Sequence, residues 1–130
     1  EGLIDIQKSC FQKFNVDTER FYVTGLSMGG YGTYALASKI PHKIAAAVPI
    51  CGAADLKTIH KMKNIPTWIF HGDQDQVVPV KNSLDAFEIL DQLNPNVHLT
   101  IYEGIGHDSW TETYQNPDVL DWMLSQRNQR

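Results

Sequence analysis

Two cysteines in 130 residues, Cys10 and Cys51, are too few for a scaffold built on disulfides. Both are expected as free, buried thiols, one on a helix and one at a strand end, and neither fixes the compartment. Paired-cysteine and His-x-x-x-His spacings are missing too, so no metal or other cofactor is expected. No apolar run approaches the roughly 18 residues that span a bilayer, and no signal peptide is present. The chain opens on Glu1 rather than Met, which implies cleavage or cutting upstream. A soluble protein is expected, with no membrane partner, and its compartment stays open between cytoplasm and secretion. A basic excess is also lacking: 11 Lys and Arg face 15 Asp and Glu, for a net charge of −4. That balance argues against a nucleic-acid partner. The one basic cluster, His60, Lys61 and Lys63, reads as solvated surface.

What is present is an ordinary globular composition, 42% hydrophobic and 20% charged. The length fits one domain over residues 1–130. Leu3, Ile4, Ile6, Cys10, Phe11 and Phe14 recur at helical spacing and predict an amphipathic helix over 1–14. Phe21 to Gly25 is a short β-prone run. Residues 28–39 read as a helix ended by Pro41. Ile44–Ile50 and Pro66–Phe70 are continuous apolar runs, as expected of strands buried on both faces. A helix over 80–93 is predicted to turn Val80, Leu84, Phe87 and Leu90 or Leu93 inward, followed by a strand over Val97–Tyr102 and a helix over Pro117–Ser125. Strands alternating with helices predict an α/β fold: a mostly parallel sheet with helices on both faces. Ligands of such sheets sit at the carboxyl ends of the strands.

Three candidate residues fall just past those ends. Gly25-Leu26-Ser27-Met28-Gly29 is a Gly-x-Ser-x-Gly motif after a predicted strand and before a predicted helix. That context is the one a nucleophile elbow requires, with the flanking glycines removing side chains that would collide with backbone. The helix that follows points its amino end at the reacting centre, and Gly30 and Gly32 let it pack close to the sheet. His71-Gly72-Asp73-Gln74-Asp75 supplies two carboxylates. Asp73, nearer the strand end, suits a bracing role. Asp75, deeper in the loop, is favoured as the acid that orients an imidazole. Gly104-Ile105-Gly106-His107-Asp108 places a histidine between glycines after the last strand, suited to general-base work. His42, His60 and His98 lack such placement, and His71 reads as structural. A metal set drawn from His107, Asp108, His71 and Asp73 is a weaker reading. The chain order Ser, Asp, His favours acyl transfer by a serine nucleophile.

These residues resemble a known family. Gly25-Leu26-Ser27-Met28-Gly29-Gly30-Tyr31-Gly32, His71-Gly72-Asp73-x-Asp75-x-Val77-Val78-Pro79 and Gly106-His107-Asp108-Ser109-Trp110 are similar to bacterial α/β-hydrolase esterases. The group resembled is that of predicted peptidases and phospholipase/carboxylesterase-like proteins. The ending Asp121-Trp122-Met123-Leu124-Ser125-Gln126-Arg127 is similar to its last helix. The resemblance implies Ser27, Asp75 and His107 as a catalytic triad and ester hydrolysis through an acyl-enzyme. The Met28 backbone N–H would be one oxyanion donor, with Trp110 and Tyr31 as candidate walls of a substrate pocket.

The resemblance stops at the front. Family members carry a further amino-terminal half, which includes the loop that supplies the second oxyanion donor. Nothing in this sequence corresponds to it, so a minimal or truncated α/β-hydrolase fold is expected. The strand over Phe21–Gly25 would then have a free apolar edge, and a homodimer covering that edge is expected. Readings kept alongside carboxylesterase are peptidase, thioesterase, acetyl-xylan or feruloyl esterase, and a non-catalytic fragment or assembly module.

Overall fold

The structure is a computed structural model that describes residues 21–127. The helix predicted over 1–14, and Cys10 with it, lie outside the described residues. Four strands, β1 (Tyr22–Leu26), β2 (Ala46–Ile50), β3 (Thr67–Gly72) and β4 (Val97–Tyr102), form one sheet in the order β1-β2-β3-β4. Every neighbouring pair is parallel. Four α-helices accompany them: α1 (Met28–Lys39), α2 (Lys81–Leu93), α3 (Trp110–Gln115) and α4 (Pro117–Leu124). Short 3₁₀ turns occupy Pro41–Lys43 and Ile59–Met62.

Successive strand residues point to opposite faces, and two apolar clusters follow from that. On one face, Ala47 and Ile69 pack with Tyr34, Leu36 and Ala37 of α1 and with Ala86 and Leu90 of α2. On the other, Val48, Ile50 and Phe70 pack with Val119 of α4, flanked by Trp68, Trp110 and Trp122. Helices therefore cover both faces, and β2, the strand predicted to be buried on both sides, is buried at every residue. Each fully buried isoleucine contributes about 1.5–3 kcal/mol of transfer free energy.

Three sequence expectations change. The inward side of α2 carries Ser83, Ala86 and Leu90, while Leu84 and Leu93 are exposed, because this helix lies against the sheet through small residues. β3 continues through His71 and Gly72, which makes His71 a strand residue rather than a member of the loop that follows. A separate helix, α3, precedes the predicted last one, started by the Asp108 carboxylate, which accepts from the Thr111 N–H at 3.1 Å. Among the described residues no helix is long and apolar enough to cross a membrane.

Candidate active site

β1 and β2 run in register, Leu26 beside Ile50, so the residues after them, Ser27 and Cys51, emerge side by side. Both have positive φ, 52° for Ser27 and 44° for Cys51. Such backbone costs of order 1–3 kcal/mol at a side-chain-bearing residue and persists only where the surroundings enforce it. Here the Ser27 N–H donates to the Ile50 carbonyl at 3.0 Å and also faces the Cys51 thiol at 3.3 Å. A Cβ on Gly25 would collide with the Gly29 backbone, so only glycine fits there. Gly29 itself faces open space, which differs from the expected role of the second motif glycine. Gly30 is tight as well: a Cβ there would meet the Ile50 carbonyl oxygen at 2.7 Å and the Gly52 Cα at 3.0 Å.

The loop after β3 is pressed against the loop after β4. A Cβ on Gly72 would collide with the carbonyls of Ile105 and Gly106. Asp73 braces the two loops, its Oδ1 accepting from the Gly104 N–H at 2.9 Å, and Gly104 turns the chain at φ 75°. Asp75 is buried beneath. Its Oδ1 accepts from the backbone N–H groups of Val77 and Val78, both at 2.8 Å. Its Oδ2 lies 2.8 Å from His107 Nδ1 and 3.2 Å from His71 Nε2. His107 Nε2 lies 3.0 Å from Ser27 Oγ. The structure thus brings Ser27, His107 and Asp75 into one hydrogen-bonded series.

Burial raises the pKa of the Asp75 carboxyl, but the hydrogen bonds from His107, Val78 and Val77 outweigh it, and the net shift is downward. Asp75 is therefore ionised at neutral pH and only accepts. Its acceptance from His107 puts a proton on Nδ1 and leaves the Nε2 lone pair for the Ser27 hydroxyl. The Ser27 side chain makes no capping bond to α1. With Tyr31 the first amide bonded to the Ser27 carbonyl, at 3.1 Å, the amides of Met28, Gly29 and Gly30 have no acceptor inside the helix.

Of the proposed pocket walls, Trp110 stands edge-on to His107, with ring centroids 5.4 Å apart. Tyr31 is placed elsewhere. It is half exposed, one turn along α1, and lines a cleft of about 430 Å³ between α1 and the chain around Asp55 and Thr58. None of Ser27, Asp75, His107 or Trp110 lines that cleft.

Two residues near the series were missed as participants. Cys51 is free and fully buried as expected, but its thiol lies against the site, which no spacing signals because strand register is not written in the sequence. Burial pushes its pKa up, and the neighbouring Ser27 N–H and Ser109 hydroxyl oppose that rise. Cys51, Asp75 and His107 present ligand atoms within 4.8 Å of one another, the arrangement among the described residues with metal-binding types. Both Asp75 oxygens and both His107 nitrogens already have partners, so the group reads as the hydrogen-bonded series with a thiol packed beside it. The other missed residue is His71. The metal set considered from sequence does not assemble: Asp73 braces a loop, Asp108 starts α3, and His71 binds Ser83 and Val78.

A parallel sheet with the serine on a strained turn after one strand, the acid after another and the histidine after a third defines the α/β-hydrolase class. The chain belongs to the phospholipase/carboxylesterase family, whose sequence profile matches residues 3–118. A bifunctional acetylxylan esterase/xylanase of Neocallimastix patriciarum is 37% identical over 67 residues, 52% of this chain and 10% of that protein. Acyl-protein thioesterase 1 of Kluyveromyces lactis is 27% identical over 113 residues, 78% of this chain and 48% of that protein. The crystal structure of a thermostable esterase superposes with a TM-score of 0.93 at 38% identity, over 97% of this chain and 36% of that one. The chain thus spans less than half the length of these relatives.

Proposed function

We propose that this chain carries the catalytic machinery of a serine carboxylesterase acting on short-chain esters through an acyl-enzyme, with no cofactor. The observation that supports the reading is the series Asp75–His107–Ser27, closed by contacts of 2.8 and 3.0 Å past the carboxyl ends of β3, β4 and β1. In this mechanism Ser27 Oγ attacks the ester carbonyl carbon while His107 Nε2 takes the hydroxyl proton. Asp75 stabilises the imidazolium and holds its tautomer. The carbonyl oxygen becomes an oxyanion against the Met28 N–H at the start of α1. The tetrahedral adduct collapses, the C–O bond to the alcohol breaks, and the alkoxide takes the proton from His107. Water then attacks the acyl-Ser27 ester with His107 as base, releasing the acid and restoring Ser27. Trp110, against the His107 ring, forms one wall for substrate.

Met28 is the one oxyanion donor assigned among the described residues. In a well-studied enzyme, removing a single such donor costs about 10²–10³ in rate. Hydrolysis of p-nitrophenyl esters of increasing acyl length, with EDTA present and beside Ser27→Ala, tests the reading. The expected result is Ser27-dependent turnover highest for acetate and butyrate. Preference for a thioester or an aminoacyl amide would replace carboxylesterase with thioesterase or peptidase. Equal background rates in both proteins would favour a non-catalytic module. Among the described residues β1 has a strand neighbour on one side only, and we further propose that isolated chains pair two-fold across that edge.

A further inference from the structure

We infer that His71 is a positioning residue that fixes the acid of the proposed series, an inference that rests on the serine-esterase reading. The His71 ring is fully buried and occupied on both nitrogens. Nε2 is 2.7 Å from the Val78 carbonyl oxygen, and Nδ1 is 2.6 Å from Ser83 Oγ. A carbonyl only accepts, so the proton sits on Nε2. Ser83 is itself buried, and among the described residues the His71 ring is the partner of its hydroxyl. The hydroxyl therefore donates to Nδ1.

The same Nε2 lies 3.2 Å from Asp75 Oδ2, a close contact rather than a hydrogen bond, its proton being given to the Val78 carbonyl. One donor thus holds the short loop at the Val78 carbonyl while the ring packs against the Asp75 carboxylate. The loop returns the grip, because Asp75 Oδ1 binds the N–H groups of Val77 and Val78. The carboxylate Oδ2 accepts from His107 with the His71 ring fixed beside it. Ser83 ties the far side of the ring to α2, so sheet, helix and acid loop are locked through one imidazole. Outer groups of this kind act by orienting the groups that do chemistry.

Three substitutions separate the roles. The amide nitrogen of Gln reaches about as far as Nε2 and keeps the donor. That of Asn reaches only about as far as Nδ1, and Phe keeps the ring shape with no donor. The first readout is the low-field proton resonance of His107 Nδ1–H against Asp75, which needs no turnover and is informative whether or not the chain hydrolyses esters. It is expected in wild type and His71→Gln, and lost or moved upfield in His71→Asn and His71→Phe. The second readout is p-nitrophenyl acetate kinetics. For Asn and Phe, kcat is expected to fall on the order of 10- to 100-fold, as for other lost orienting partners, with KM changed less than about twofold. Gln should recover most of kcat. If a His71 variant does not fold, Ser83→Ala frees the ring and is expected to shift the same resonance in the same direction. An unchanged resonance in folded Asn, Phe and Ser83 variants overturns the inference. So does equal loss in the Gln and Asn variants, which would make His71 a space-filling residue.

Discussion

Replacing Asp75 by Asn should nearly abolish any hydrolysis while leaving the fold in place, and the reason lies in the donors around the carboxylate. Three N–H groups bond it, Val77 and Val78 at Oδ1 and His107 at Oδ2, and His71 Nε2 lies 3.2 Å from Oδ2. An asparagine has one oxygen to offer. If that oxygen keeps the two backbone amides, the new NH₂ faces His71 and His107. His71 is pinned by the Val78 carbonyl and cannot turn away. His107 can respond only by giving up its Nδ1 proton and carrying it on Nε2, where it faces Ser27 and removes the base. If the amide flips instead, the NH₂ meets two backbone N–H groups, at about 1–3 kcal/mol for each buried group left unmet. The tautomer loss is the larger catalytic effect. The corresponding substitution in a serine protease costs about 10⁴ in kcat, or roughly 5.5 kcal/mol of transition-state stabilisation. Initial rates on p-nitrophenyl acetate are therefore expected to drop about 10⁴-fold or to background in Asp75→Asn, with unchanged far-UV circular dichroism. A folded Asp75→Asn protein keeping more than about a tenth of wild-type kcat would refute the reasoning.

Gly25→Ala forces a Cβ into the Gly29 backbone and should destabilise by about 1–3 kcal/mol in urea unfolding, whereas Gly29→Ala, facing open space, should be neutral or slightly stabilising. Equal effects would refute the assigned turn geometry. Asp75 has a folded pKa below its ordinary 3.8, so its contribution to stability is present above that value and is lost as pH falls through the lowered one. Thermal unfolding followed from neutral pH into acid should show this contribution disappearing only below pH 3.8, with the loss absent in Asp75→Asn. Burial raises Cys51 and Tyr34 above their ordinary 9.0 and 10.0, so their contributions are fully present below those values and are lost as pH rises beyond them through the raised ones. Sedimentation of the isolated chain should show a dimer that dissociates when a proline replaces Thr24 in β1, and a strict monomer at high concentration would contradict pairing at that edge.

The sheet was legible because its inner strands are buried on both faces and read as unbroken apolar runs, Ile44–Ile50 and Pro66–Phe70. The turn at Ser27 was legible because its backbone excludes a side chain at Gly25, a constraint that writes itself as a glycine. Asp73 was legible as a brace because it stands next to a strand end. Other features left no such mark. Leu90 and Phe87 of α2 lie on the core as expected, but the outward turn of Leu84 was not legible, because Ser83 and Ala86, which let the helix approach the sheet, carry little hydrophobic signal. α3, with the sequence Trp-Thr-Glu-Thr-Tyr-Gln, is too short and polar to show a period. Cys51 beside Ser27 depends on the register of β1 with β2, and His71 beside Asp75 depends on how a loop folds back on its strand. Those are tertiary facts, and a pattern along the chain does not hold them.

Mass spectrometry of the chain after reaction with a fluorophosphonate tests the central claim most directly, because the label reports an activated serine even where turnover is slow. The account predicts a single phosphonyl adduct on the peptide containing Ser27, absent in Ser27→Ala and His107→Ala. A chain that stays unlabelled while folded, or one labelled equally in the His107→Ala variant, would contradict it.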